Sequence, residues 1–105
     1  MPHCVYVIEL HRDVLACRKF ANAHPDCRDD KPCVYVGSTV HTPEERFQQH
    51  LGGYKANRYA HKYGQRLRPK NYRHLQDFET REEAETEERR LAERLRRRGY
   101  AVWWG

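Results

Sequence analysis

The chain has 105 residues, 38% hydrophobic and 33% charged, with a mean hydropathy of -1.11 and a formal net charge of +5. That length fits one domain, 1–105, with a small core in which the aromatic residues, 11% of the chain, do much of the packing. The composition excludes a disordered chain, and no apolar run reaches the roughly 18 residues of a membrane-spanning helix. The start Met1-Pro2-His3-Cys4 lacks the basic and then apolar regions of a secretory signal, so a cytoplasmic location is expected.

In chain order, Cys4-Val5-Tyr6-Val7-Ile8-Glu9-Leu10 and Cys33-Val34-Tyr35-Val36-Gly37-Ser38 are dense in β-branched and aromatic residues and predict two buried strands. Between them, residues 13–22 predict a short helix with Val14, Leu15 and Phe20 on its apolar side, and the Pro- and Asp-rich residues 24–32 predict a loop. Thr42-Pro43-Glu44-Glu45 is a helix start, with an N-cap threonine, a proline in the first helical position and a glutamate completing a capping box. This helix is expected to stop at Gly52-Gly53 and to turn Phe47 and Leu51 toward the core. A further helix is expected over residues 57–63, and a third strand over residues 72–78. Thr80-Arg81-Glu82-Glu83 opens the longest helix as a second capping box. Acidic residues crowd its first turns and Arg96-Arg97-Arg98 its last, as the helix dipole favours. The apolar tail Tyr100-Ala101-Val102-Trp103-Trp104 either joins the sheet or covers the core.

The charge is unevenly placed: residues 1–50 carry 6 basic and 7 acidic side chains, residues 51–105 carry 14 and 8. From Leu51 to Gln76 the charged residues are all basic: Lys55, Arg58, Lys62, Arg66, Arg68, Lys70 and Arg73, with Tyr54, Tyr59, Tyr63 and Tyr72 interleaved. Such a stretch suits a polyanion, because lysine and arginine neutralise phosphates and rings stack on bases; the plainer reading is a solvated basic face. The four cysteines are expected to be thiols, with Cys4 and Cys33 as small core residues. The series Cys17, His24, Cys27, Cys33 has no tight C-x2-C spacing, so structural zinc is not expected.

In the long helix, Ala84, Leu91, Ala92 and Leu95 recur at helical spacing, and Glu88 falls in the middle of that apolar stripe. A carboxylate there needs a partner: an arginine beneath the sheet in one reading, a metal ion in the other. Arg46 and His50, four apart on the Thr42 helix, suit phosphodiester chemistry, since arginine holds phosphate oxygens and histidine relays protons. Tyr6 and Tyr35, taken singly, read as core aromatics.

Together these residues resemble the GIY-YIG nuclease family over nearly the whole chain, through Val5-Tyr6, Tyr35-Val36-Gly37, Arg46-x3-His50 and Ala84-x3-Glu88-x2-Leu91. The likeness is to its small stand-alone bacterial branch. The resemblance implies an α/β (α+β) domain with a small antiparallel three-stranded sheet flanked by helices, in which residues 11–32 are an insert between the two motif strands. It implies hydrolysis of phosphodiester bonds, in DNA above all, with one Mg²⁺ or Mn²⁺ ion. Tyr6 and Tyr35 would stand at the attacking water, Arg46 on the phosphate, His50 would assist proton transfer and Glu88 would be the carboxylate ligand of the metal. Either tyrosine is a candidate base, with Tyr35 preferred.

The chain departs from the family pattern in four places. Cys4-Val5-Tyr6 lacks the first motif's glycine, the connection 11–32 is long, Ser38 stands where some members have lysine, and no asparagine follows Asn71. A catalytically inactive nucleic-acid-binding module on the same fold is the alternative, and a protein-interaction subunit docking through the long helix is a third reading.

Overall fold

The computed structural model describes residues 2–105. Two seven-residue strands carry the fold, β1 (Cys4–Leu10) and β2 (Cys33–Thr39), each buried almost throughout. They pair antiparallel, with Tyr6 opposite Gly37 and Ile8 opposite Tyr35. β3 (Gly64–Leu67) adds antiparallel to the outer edge of β1, and β4 (Ala101–Trp104) adds parallel to the outer edge of β2. The order is β3-β1-β2-β4, so the sheet has four strands and is mixed, where three antiparallel strands were expected. The apolar tail joins the sheet.

The third strand is not where the sequence put it. Residues 69–72 form a short helix, α4 (Pro69–Tyr72), begun by a proline whose fixed φ suits that place and closed over the buried Tyr72. Residues 72–78 meet the sheet without forming a strand: Leu75 O accepts from Val5 N–H at 3.0 Å, and Phe78 makes an isolated bridge to His3. The strand place goes to Gly-Gln-Arg-Leu, a polar edge segment made β by its partner rather than by its own content.

The remaining helices are α1 (Arg18–Asn22), α2 (Pro43–Leu51), α3 (Arg58–Tyr63) and α5 (Arg81–Arg97). α5 lies along β2 and β4, while α2 and α3 pack toward β1 and β3. Their starts are chemically defined. Thr42 and Glu45 form the full capping box, each side chain accepting the other's backbone N–H. Asn57 Oδ1 accepts from the N–H groups of Tyr59 and Ala60. Thr80 Oγ1 accepts from Glu83 N–H, but the Thr80 hydroxyl donates to Glu83 Oε1, so this second box closes through side chains. Each cap is worth about 1 kcal/mol.

The apolar stripe of α2 is rotated from expectation. Leu51 is 37% exposed and Phe47 half-buried, while His50 is completely buried. Residues 12–16 form a 3₁₀ turn leading into α1, whose Phe20 is fully buried, stacked on Trp103 and edge-on to Tyr59. His24 then places its two ring nitrogens 2.7 Å from the carbonyl oxygens of Phe20 and Val102. Residues 11–32 therefore cover the sheet and tie it to β4. Burying one Phe20 ring contributes about 1.5–3 kcal/mol to that attachment. All four cysteines are free thiols, Cys4 and Cys33 within the core. Among the described residues no helix is long and apolar enough to cross a membrane.

Candidate active site

At the Cys4–Thr39 end of the central strand pair lies a cavity of about 580 Å³, lined by Tyr6, Tyr35, Ser38, Arg46, Lys55 and Glu88 among others. Strand pairing sets its floor. Because Tyr6 faces Gly37 across the ladder, its phenol lies over a residue without a side chain. A Cβ on Gly37 would fall on Tyr6 Oη, 2.6 Å from Cζ, and 3.1 Å from the Tyr35 ring, so glycine is required there by space. The two tyrosine rings sit 6.3 Å apart, tilted at 50°.

His50 stands behind Tyr6 rather than on the cavity wall, with Nε2 2.7 Å from Tyr6 Oη. Its other nitrogen, Nδ1, accepts the Asn57 backbone N–H at 3.2 Å. Burial first, and the nearby Arg46 second, lower the His50 pKa to about 4, so the ring is neutral at pH 7. A neutral imidazole that accepts at Nδ1 carries its proton on Nε2. His50 therefore donates to Tyr6 Oη and fixes that ring, leaving the Tyr6 proton to point elsewhere.

Burial, with the neighbouring Tyr35 phenol next in weight, pushes the Tyr6 hydroxyl far above its ordinary range. Burial and then the Glu88 carboxylate push Tyr35 up to about 12, with Arg46 pulling the other way. Glu88 is only 7% exposed, and burial raises its pKa to about 7, while Ser38 and the Gly105 backbone N–H favour the charged form. None of the ion pairs among the described residues reaches it; Arg81, on the same cavity wall, is paired with Glu85 at 3.0 Å. The buried-arginine reading of Glu88 thus finds no arginine. The carboxylate opens instead onto the cavity.

Arg46 is half-buried and partly engaged. Nη1 donates to Gln49 Oε1 at 3.0 Å and to Tyr54 O at 3.2 Å, and Nη2 donates to Lys55 O at 2.8 Å. The fork keeps further N–H donors for an anion in the cavity.

The structure gathers Tyr6, Tyr35, Arg46 and Glu88 around one space, with His50 one bond behind. It disperses the basic stretch. Lys55 lines the cavity, whereas Arg58 and Lys62 lie over Tyr59 and Tyr63. Arg66 and Arg68 reach Glu9, at 3.9 and 2.7 Å, and Lys70 is exposed on α4. Gly37 as a cradle, Ser38 beside Glu88 and Asn57 behind His50 were missed as site residues. Only Gly37 carried a signal, as a glycine inside a buried strand.

An uncompensated carboxylate, two phenols and a basic rim sharing one open cavity are suited to phosphate esters, which is the work of a nuclease. Residues 2–101 match the model of the GIY-YIG catalytic domain, and the chain belongs to that family. No curated protein and no solved structure matches the chain. Membership implies nuclease-type chemistry on nucleic acid, in a family whose members generally depend on a divalent metal.

Proposed function

We propose that the chain is an endonuclease that hydrolyses phosphodiester bonds in DNA with one divalent cation held by Glu88. The observation that carries this reading is Glu88 itself, a nearly buried carboxylate, without a cationic partner among the described residues, facing two phenols and an arginine. Among the described residues no group of three His, Cys, Asp or Glu side chains converges as a metal cage. A single carboxylate in a cavity with room for water fits Mg²⁺, which keeps several waters and shares itself with a substrate phosphate. When bound, such a cation supplies charge neutralisation on the scissile phosphate and leaving oxygen.

The chain's own residues do the rest. Arg46 directs its remaining N–H donors at a nonbridging phosphate oxygen. Tyr6, held through its oxygen by His50, orients the attacking water. Tyr35, as the phenolate left once its own hydroxyl proton has gone to solvent, takes the water's proton: its pKa is the less elevated of the two, Arg46 lowers it, and a cation held at Glu88 would offset the carboxylate that raises it. His50 is a positioning residue, buried and already donating at Nε2. Lys55 meets the substrate backbone at the rim, while Arg66 and Arg68 stay with Glu9.

The test is cleavage of labelled supercoiled, branched and single-stranded DNA, with RNA as control, in Mg²⁺, Mn²⁺ or chelator. Cutting that needs the metal and disappears in Glu88→Ala, with circular dichroism unchanged, is the expected result. Cutting by Glu88→Ala at the wild-type rate would remove Glu88 from the metal role. DNA binding without cutting in any metal would favour the inactive binding module.

A further inference from the structure

The loop between α2 and α3 carries features that hydrolysis alone does not use. Tyr54 is 58% exposed, the most exposed large hydrophobic side chain among the described residues. It follows Gly52 and Gly53, the latter at φ 83°, and precedes Lys55, a non-glycine residue at φ 45°. A lysine in the left-handed region is strained, and such strain persists only where surrounding bonds over-determine it. Here the bonds come from Arg46, which clasps the carbonyl oxygens of both Tyr54 and Lys55. The loop is thus held with an aromatic ring in solvent, next in the chain to Lys55, which lines the cavity. Lys55 Nζ lies 5.6 Å from the centre of that ring.

We infer that Tyr54 is a stacking platform for a nucleobase next to the scissile phosphate, and that the preferred substrate carries an unpaired or unstacked nucleotide there. An aromatic ring accepts any base, because every base has a π face, but only one whose own face is free. A base inside a continuous duplex is covered on both sides and does not qualify. A base on the ring brings its phosphate toward Lys55, whose ammonium then has a phosphate oxygen to meet in place of the ring face. Arg46 couples the two events, since the same guanidinium holds the loop and borders the reacting phosphate. This inference rests on the nuclease reading for the meaning of the cavity, but the stacking itself needs no hydrolysis.

The test is binding in chelator, where nothing is cut, by fluorescence of 2-aminopurine placed either at an unpaired position beside a strand junction or inside continuous duplex. Stacking of a base on a tyrosine is worth about 1–3 kcal/mol by alanine substitution, a change of about 5- to 150-fold in Kd, with tenfold toward the lower end. Tyr54→Ala is therefore expected to weaken binding of the unpaired substrate about tenfold and of the duplex less than about twofold, and to abolish the quenching of the unpaired 2-aminopurine. Tyr54→Phe is expected to retain both. Equal losses on the two DNAs, or no loss on either, would overturn the inference. Wild-type protein that stacks the base through Tyr54 yet never cuts in any metal would overturn the hydrolytic reading and keep this one. Wild-type protein that cuts, with Tyr54→Ala unchanged on both DNAs, would do the reverse.

Discussion

The central strand pair has a cavity at each end, of about 580 and about 590 Å³, and their chemistry differs far more than their size. At the Leu10–Cys33 end the walls are Glu9, Arg12, Asp29, Asp30, Lys31 and Arg68 with their neighbours. Several of those charges are answered: Arg68 meets Glu9 at 2.7 Å, and Arg12 donates to Lys31 O at 2.8 Å. At the Cys4–Thr39 end Glu88 has no cationic partner among the described residues, and burial holds two phenols in the protonated form. A site is marked by charges left unanswered in a partly dry place, not by the volume of the hole.

The comparison can be broken most severely at Glu88. Glu88→Ala is expected to lower metal-dependent cleavage about 10³-fold or more, because several kcal/mol of charge stabilisation go with the cation. Arg68→Ala at the other end is expected to stay within about twofold. Comparable losses at both ends, measured as single-turnover rates, would erase the distinction. Arg46→Lys comes next. It keeps the charge but not the fork that reaches Gln49, Tyr54 and Lys55, and about a 10²-fold loss in rate is expected. Faster hydrogen exchange confined to residues 52–57 is expected alongside. Gly37→Ala drives a methyl group into Tyr6, so a loss of about 10²-fold and about 1–3 kcal/mol of stability is expected, read by kinetics and urea unfolding.

Stability against pH sharpens the contrast further. Glu88 is raised from 4.5 to about 7, so its contribution to stability is fully present below about pH 4.5 and lost as pH rises through 7. His50 runs oppositely. Its pKa is lowered from 6.5 to about 4, so its contribution is present above 6.5 and lost as pH falls through 4. Glu88→Gln removes the first trend and keeps the second. In chelator at pH 8 this variant is expected to be more stable than wild type by about 1–2 kcal/mol, with the gap closing near pH 4.5. Added Mg²⁺ is expected to stabilise wild type alone. The smallest effect belongs to Arg68→Ala in the same unfolding assay, below about 1 kcal/mol, since its ion pair is still reached by solvent.

Much of this is legible in the sequence, for identifiable physical reasons. Two helix starts were readable because capping chemistry is local: Thr42 and Thr80 each act within a few residues. Glu88 was readable because a charge interrupted an apolar stripe. His50 carried the same kind of signal inverted, as a polar residue on the buried side, and was obscured because Leu51 looked the better core residue. β3 was illegible, since Gly-Gln-Arg-Leu becomes a strand only by pairing with β1. The Arg46 clasp was illegible too, for it depends on a loop conformation that brings the Tyr54 and Lys55 carbonyls back onto the helix.

The parallel seat of β4 beside β2 has a bearing on how the molecule assembles. Cys33 of β2 waits for Ala101, so the strand carrying Tyr35 is synthesised long before the partner that completes its hydrogen bonds. Joining partners so distant in sequence costs loop-closure entropy, and this step is expected to be late in folding. Until then the outer edge of β2 is open and Glu88 lacks the backbone donor at Gly105. A nascent chain halted before residue 101 would hold Tyr6, Tyr35, Arg46, His50 and Glu88 and yet no finished sheet to aim them.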